Sequence, residues 1–285
     1  MLRPGRWLII VFGAASLIAV LAGCWAASNA GVPVATCARM IAAWVIGLGM
    51  AISLARLPRW GDRRAFAFAA GVIVLLLLSF ADAGLEGVHR WVVIGPVRLN
   101  VAALVLPIAI VVMAGQSWAA WAGLAIMVLL VAQPDASQAT GFAVAAAVLT
   151  GARARNGFAG AALAAIILLG ALSWLRADPL ASVAEVEGIV GLAWHQHPAL
   201  AILAVTALVL ATITPVVIGY AGQRDPAARA ITAYMMFTAA LPIIGTFPVP
   251  LVGMSMSPIL GFWLGIGALA ESRNSSAPNG QRRDQ

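Results

Sequence analysis

The sequence predicts an all-α, polytopic membrane protein with about ten transmembrane helices and both termini in the cytoplasm. Three observations carry this expectation. Of the 285 residues, 62% are hydrophobic and only 9% charged, with a mean hydropathy of +0.98. A soluble domain cannot hide so much apolar surface behind so few charges. Apolar stretches recur along nearly the whole length, and each needs about 20 residues to cross a bilayer as a helix. Finally, the net charge of +7 rests on arginine, with no lysine, and the arginines sort by topology. In a soluble chain that charge would point to nucleic acid; here the sorting excludes it as a partner.

Taken in order, the apolar segments run over 7–26, 34–55, 65–84, 101–114, 117–132, 138–152, 157–175, 197–220, 227–246 and 250–270. The first ends in "LAGC", Leu21 to Cys24, which resembles a lipoprotein cleavage signal. Such a match arises easily in an Ala/Gly/Leu-rich run, so a retained helix is the simpler reading. The fourth to sixth segments are short, which implies tilt or extension into flanking loops. The connections are too short for a soluble domain, so residues 1–271 read as a single transmembrane domain. The tail "SRNSSAPNGQRRDQ", within 272–285, is polar and without an apolar face, and reads as a disordered cytoplasmic end.

With the N-terminus inside, thirteen arginines fall on the cytoplasmic side and four (Arg39, Arg90, Arg98 and Arg176) outside. That bias fits the positive-inside rule and an even number of spans. The acids Asp82, Glu86, Asp135, Asp178, Glu185 and Glu187 fall at the outer face. Acids set topology weakly, so this grouping points to a site. Cys24 and Cys37 sit near the outer ends of the first two helices; they either pair in an oxidising compartment or remain two small buried thiols. His195 and His197 are two apart and diverge on a helix, so they share no metal ion.

Four outer stretches carry candidate chemistry, each beside a plainer reading. "GVHRWVVIGPVRLN" (Gly87 to Asn100) is either a headgroup clamp or an interfacial anchor, with Trp91 in the headgroup belt and Arg90 on lipid phosphate. "QPD" (Gln133, Pro134, Asp135) is either a site element or a helix start, with Asp135 near the positive end of the next helix. "RADPLASVAEVEGIVGLAW" (Arg176 to Trp194) gathers three acids and an arginine on one loop. "TFPVPLVGMSMSP" (Thr246 to Pro258) combines three prolines with small hydroxyl side chains. Irregular backbone at membrane depth must line a cavity or pack on protein.

In this order, the four stretches resemble the SEDS family, the FtsW/RodA/SpoVE proteins of shape, elongation, division and sporulation. Gly87, Arg90, Trp91, Gly95 and Pro96 match the family's G-x-x-R-W…G-P. Gln133, Pro134 and Asp135 keep its Q-P-D, and Pro248, Pro250 and Ser257 match its proline-rich last motif. Arg39 resembles a basic position of the family. The resemblance covers residues 34–270. It implies a peptidoglycan glycosyltransferase of the bacterial inner membrane, acting in cell division or cell-shape maintenance. The substrate would be lipid II or a related undecaprenyl-linked precursor, and a class B penicillin-binding protein would cross-link the product.

The resemblance also implies roles. The catalytic acid of the family aligns with Glu187, with Asp178 and Glu185 as alternatives. Arg39, Arg90 and Arg176 would hold pyrophosphate, and Trp91, Gln133, Asp135 and Ser257 would complete the substrate site. No metal site is read, although a divalent cation could accompany the pyrophosphate. Departures are substantial. Asn100-Val101-Ala102-Ala103 replaces a family Q-P-S-E, the family lysine is absent, Gly253 to Pro258 replaces a Ser/Gly-rich run, and the loop after the seventh segment is short. A fold can outlive its catalysis. Two other readings therefore stand beside the polymerase: a non-catalytic membrane partner of a penicillin-binding protein, and a carrier or flippase for a polyprenyl-linked precursor.

Overall fold

The computed structural model describes residues 4–275 except 59, 82–83, 96, 152–156, 177 and 219–224. Its eleven helices among the described residues are α1 (Pro4–Asn29), α2 (Val34–Leu54), α3 (Asp62–Leu78), α4 (Val101–Met113), α5 (Ala119–Ala132), α6 (Ala136–Gly151), α7 (Gly157–Leu172), α8 (Ile189–Gln196), α9 (Pro198–Val217), α10 (Pro226–Ala240) and α11 (Met256–Ser275). One antiparallel hairpin, β1 (Trp91–Ile94) and β2 (Val97–Asn100), joins α3 to α4. All but α8 fall on the apolar segments read from the sequence. Five helices (α1, α2, α3, α7 and α9, with α3 and α7 extended by a short turn) are long and apolar enough to cross a membrane. Side chains such as Val45, Ile46, Ile202, Leu203 and Leu210 are exposed on α2 and α9. A helical bundle that is apolar outside as well as inside requires lipid around it, so this is an integral membrane protein.

Local chemistry starts the helices. Asn100 Oδ1 accepts the Ala103 N–H at 2.9 Å at the head of α4, and Asp135 Oδ1 accepts the Gln138 N–H at 3.2 Å at the head of α6. Asp225 accepts the Ala227 N–H at 2.9 Å before α10. Each satisfies one of the orphan donors of a first turn.

Helix α11 is the core. It packs on α1, α2, α4 and α10, and Ile259, Trp263, Ile266, Ala268, Leu269 and Ala270 are fully buried. The approach is backbone to backbone. A Cβ at Gly261 would lie 2.0 Å from the Ala103 carbonyl oxygen of α4, and one at Gly267 would lie 2.6 Å from the Ala51 Cα of α2. Small residues at crossings are how membrane helices gain contact where lipid provides no hydrophobic drive. Trp263 fills the wider gap, edge-on to Phe12 at 4.8 Å and to Trp44 at 5.5 Å.

Several expectations need revision. The last helix starts at Met256, not at residue 250, because Pro248 and Pro250 supply no N–H and Leu251 sits at φ 65°. It runs to Ser275, with Asn274 donating to the Ala55 carbonyl at 3.2 Å. Residues 276–285 of the expected tail lie outside the described residues, as do Asp82 and Pro96. Helix α1 runs unbroken through Cys24. Cys24 and Cys37 are both buried free thiols.

Candidate active site

The hairpin brings the first motif to the head of α4. β-rich runs flank Gly95, which takes φ 58°, a conformation glycine adopts without strain. Trp91 pairs with Asn100 and Val93 with Arg98, and the Val101 N–H donates to the Arg90 carbonyl at 2.9 Å. Arg90 and Trp91 are therefore fixed beside the start of α4.

Arg90 is 7% exposed. Its Nη2 donates to Asp178 Oδ2 at 2.6 Å and to the Pro134 carbonyl at 2.6 Å. Its Nε stands 3.9 Å from Asp135 Oδ2, and its Cζ lies 5.9 Å from the Trp91 ring centroid. Two carboxylates from separate loops thus neutralise one buried guanidinium, which a buried charge requires. Arg90 is a structural hub, and the expected free clamp on pyrophosphate has its charge already engaged. Asp135 also accepts from Asn100 Nδ2 at 3.1 Å, and Ser257 Oγ accepts the Asn100 N–H at 2.8 Å.

The acidic loop and the proline-rich stretch hold each other. The Val249 N–H donates to the Val186 carbonyl at 3.1 Å, and the Met254 N–H to the Glu185 carbonyl at 3.0 Å. A Cβ at Gly253 would lie 2.4 Å from the Val186 carbonyl oxygen, so only glycine permits this approach. The irregular backbone of 246–255 is satisfied by protein, as membrane depth demands. Glu187 Oε2 accepts the Val183 N–H at 2.6 Å. Its carboxyl holds its proton to higher pH than an ordinary glutamate, first because burial disfavours the charge and further because Asp178 and Glu185 stand nearby; backbone N–H groups oppose part of this.

Between these elements lies a cavity of about 580 Å³. Arg39, Arg90, Trp91, Asp135, Asp178 and Glu187 all line it. Gln133, Arg176, Glu185 and Ser257 do not. Gln133 is fully buried and donates to Ser79 Oγ at 2.6 Å and the Leu76 carbonyl at 3.1 Å, tying α5 to α3. Arg176 donates to the Val131 and Ala132 carbonyls at the end of α5. Glu185 contributes its backbone.

The cavity also contains Arg98, Glu86 and Asn100, which the sequence placed at the outer face without a role, and Gln138 and Tyr234, which it did not single out. The hairpin register sets Arg98 opposite Val93. Arg39 and Arg98 are exposed, and neither is ion-paired among the described residues. Arg39 donates to Thr36 Oγ1 at 2.9 Å. They supply the cavity's positive charge. Among the described residues, no group of three or more His, Cys, Asp or Glu could hold a metal ion.

No family model matches the sequence, and no curated protein does. Solved structures do match. Thermus thermophilus rod shape determining protein RodA superimposes with a TM-score of 0.61 over 96% of this chain and 98% of its own, at 18% identity. The chain has the RodA fold. An Asp-to-Ala variant of RodA superimposes with a TM-score of 0.65, 16% identity and the same coverage. A chain described under the structural coordination of polymerization and crosslinking by a peptidoglycan synthase complex gives 0.54, at 19% identity, over 94% of this chain and 97% of that one. The resemblance read from the motifs thus holds at the level of the fold: the likeness to RodA spans nearly the whole of both chains.

Proposed function

We propose that the protein is a SEDS-type peptidoglycan glycosyltransferase that polymerises lipid II at the outer face of the bacterial inner membrane. On this reading the chain crosses about ten times, with both termini cytoplasmic and 1–271 as one domain before a polar tail. The observation that carries it is the shared cavity. One polar hollow holds the motif residues Arg90, Trp91 and Asp135, the carboxylate Glu187, and the unpaired cations Arg39 and Arg98, within a RodA fold.

The chemistry requires a base for the acceptor sugar's 4-hydroxyl and positive charge for the departing pyrophosphate. Glu187, with its raised proton affinity, is the base. Arg39 and Arg98 receive the diphosphate, while Arg90 positions Asp135 and Asp178. Asp178 is bound to Arg90 Nη2 at 2.6 Å and is assigned a structural role. Gln133, Arg176 and Ser257 act through the scaffold, and Trp91 borders the sugar or prenyl chain. Asp135 and Asp178 both turn to Arg90, so this carboxylate set does not fit a resident divalent cation. A class B penicillin-binding protein is the expected partner.

A second reading, a non-catalytic partner of such an enzyme, is favoured by one observation: the Glu187 carboxylate already accepts the Val183 N–H. A lipid II polymerisation assay with Glu187→Ala, Asp178→Ala and Glu185→Ala, with and without the penicillin-binding protein, separates the two. Glycan synthesis lost in Glu187→Ala and retained in Glu185→Ala supports catalysis. Absence of synthesis by the unmodified complex supports the partner role.

A further inference from the structure

A second cavity of about 580 Å³ lies at the other end of the bundle, between α4, α5, α6 and α7. Its wall is apolar and small-residued, including Ile110, Gly123, Phe142, Ala146, Ala162 and Ile166. Its polar lining, Gln116, Ser117 and Thr150, is confined to the helix ends at the mouth. Sites for small molecules fall in the range of about 300–1,000 Å³ and combine an apolar wall with few polar groups. The aliphatic part of the wall offers ordered water few partners, and left empty it would lack contact partners.

We propose that this cavity takes one acyl chain of an anionic membrane phospholipid from the leaflet at that end. The wall specifies hydrocarbon, and the polar mouth places the glycerol ester groups. The charge beside the mouth specifies the headgroup. The Phe66 ring of α3 stands 5.6 Å, edge-on, from that of Trp118, which adjoins the lining residue Ser117. That contact brings the first turn of α3 towards the rim, where exposed Arg63 and Arg64 outweigh the exposed Asp62. Neither arginine has an acidic partner among the described residues, and basic side chains at a membrane surface attract anionic lipid. Trp121 and Phe158, ring centroids 4.5 Å apart, bridge α5 and α7 beside the cavity, and aromatic side chains favour membrane interfaces. Nothing here depends on the polymerase reading.

The test is photolabelling of the full chain in nanodiscs containing trace phosphatidylglycerol or phosphatidylcholine with a mid-chain diazirine, followed by peptide mapping. The expected result is label concentrated on the cavity-lining peptides of α5 and α7, at least fivefold stronger with phosphatidylglycerol. Ala162→Phe should lower it at least fivefold, and Arg63→Gln with Arg64→Gln should abolish the headgroup preference. Label spread evenly over the exposed faces of α2 and α9 would overturn the proposal. So would equal labelling by both lipids, or label displaced by a second copy of the chain at higher protein density. Because labelling of the unmodified protein decides the site, a misfolded variant does not rescue it.

Discussion

Helices α4 and α6 each run from one cavity to another. Asn100, Ala103, Ser137 and Gln138 at their first turns face the polar hollow, whereas Ile110, Met113, Ala146 and Leu149 further along face the apolar one. Volumes are alike and chemistry is opposite. At the polar end, every buried charge required partners from other loops: Arg90 reaches Asp178 88 residues away and the Pro134 carbonyl 44 away. At the apolar end no such partners are needed, and small side chains simply leave room. The polar hollow is therefore brittle around Arg90, because losing Asp135 or Asp178 strands a buried charge, while the apolar hollow should tolerate change.

The largest effect that would break this contrast is on Glu187. Glu187→Ala should lower lipid II polymerisation by about a hundredfold or more, the usual worth of a positioned base, with the fold retained by circular dichroism; a twofold change would move the chemistry elsewhere. Gly253→Ala should lower the same activity about tenfold, because its Cβ must push the Val186 carbonyl that sits next to Glu187. Asp178→Ala should destabilise the protein by about 3 kcal/mol in detergent unfolding, leaving Arg90 partly unpaired, whereas Asp178→Glu should recover part of that.

The pH dependence sharpens the comparison. Burial raises the Glu187 proton affinity, so the activity limb on the acid side should have its midpoint above the ordinary glutamate value of 4.5. A folded state that holds the proton more tightly gains stability at low pH and loses it as pH rises through the raised value. Glu187→Gln should therefore gain stability relative to the unmodified protein on the alkaline side of that midpoint, read from unfolding at several pH values. The smallest effect belongs to the apolar end: Ala162→Phe should change polymerisation by less than twofold.

Much of the helical layout was legible because apolar runs of helix length say the same thing to lipid and to a reader. The exceptions have particular causes. The hairpin at 91–100 goes beyond the clamp or anchor that the motif suggests, although Trp-Val-Val-Ile and Val-Arg-Leu around Gly-Pro are a strand-turn-strand signal. Helix α8 was taken into a loop because Ile189 to Trp194 follows three acids directly. The apolar Pro248 to Val252 was counted into the last span on hydropathy alone. In the site, the resemblance to the SEDS motifs singled out Arg90, Asp135 and Glu187, and all three line one hollow. The motifs could not say that Arg90 would be consumed by two acids, that Arg176 would cap α5, or that Arg98 would turn inward. Those outcomes depend on pairings between loops far apart in sequence.

The glycines of α11 have one further consequence. Where a helix rests on its neighbours through main-chain atoms at two heights, Gly261 on α4 and Gly267 on α2, sliding it by one residue would drive a side chain into each bearing. Such a shaft can neither piston nor rotate by small steps. Any rearrangement at the Pro258 end must then be absorbed by the loops above it, while the Arg273 end stays still.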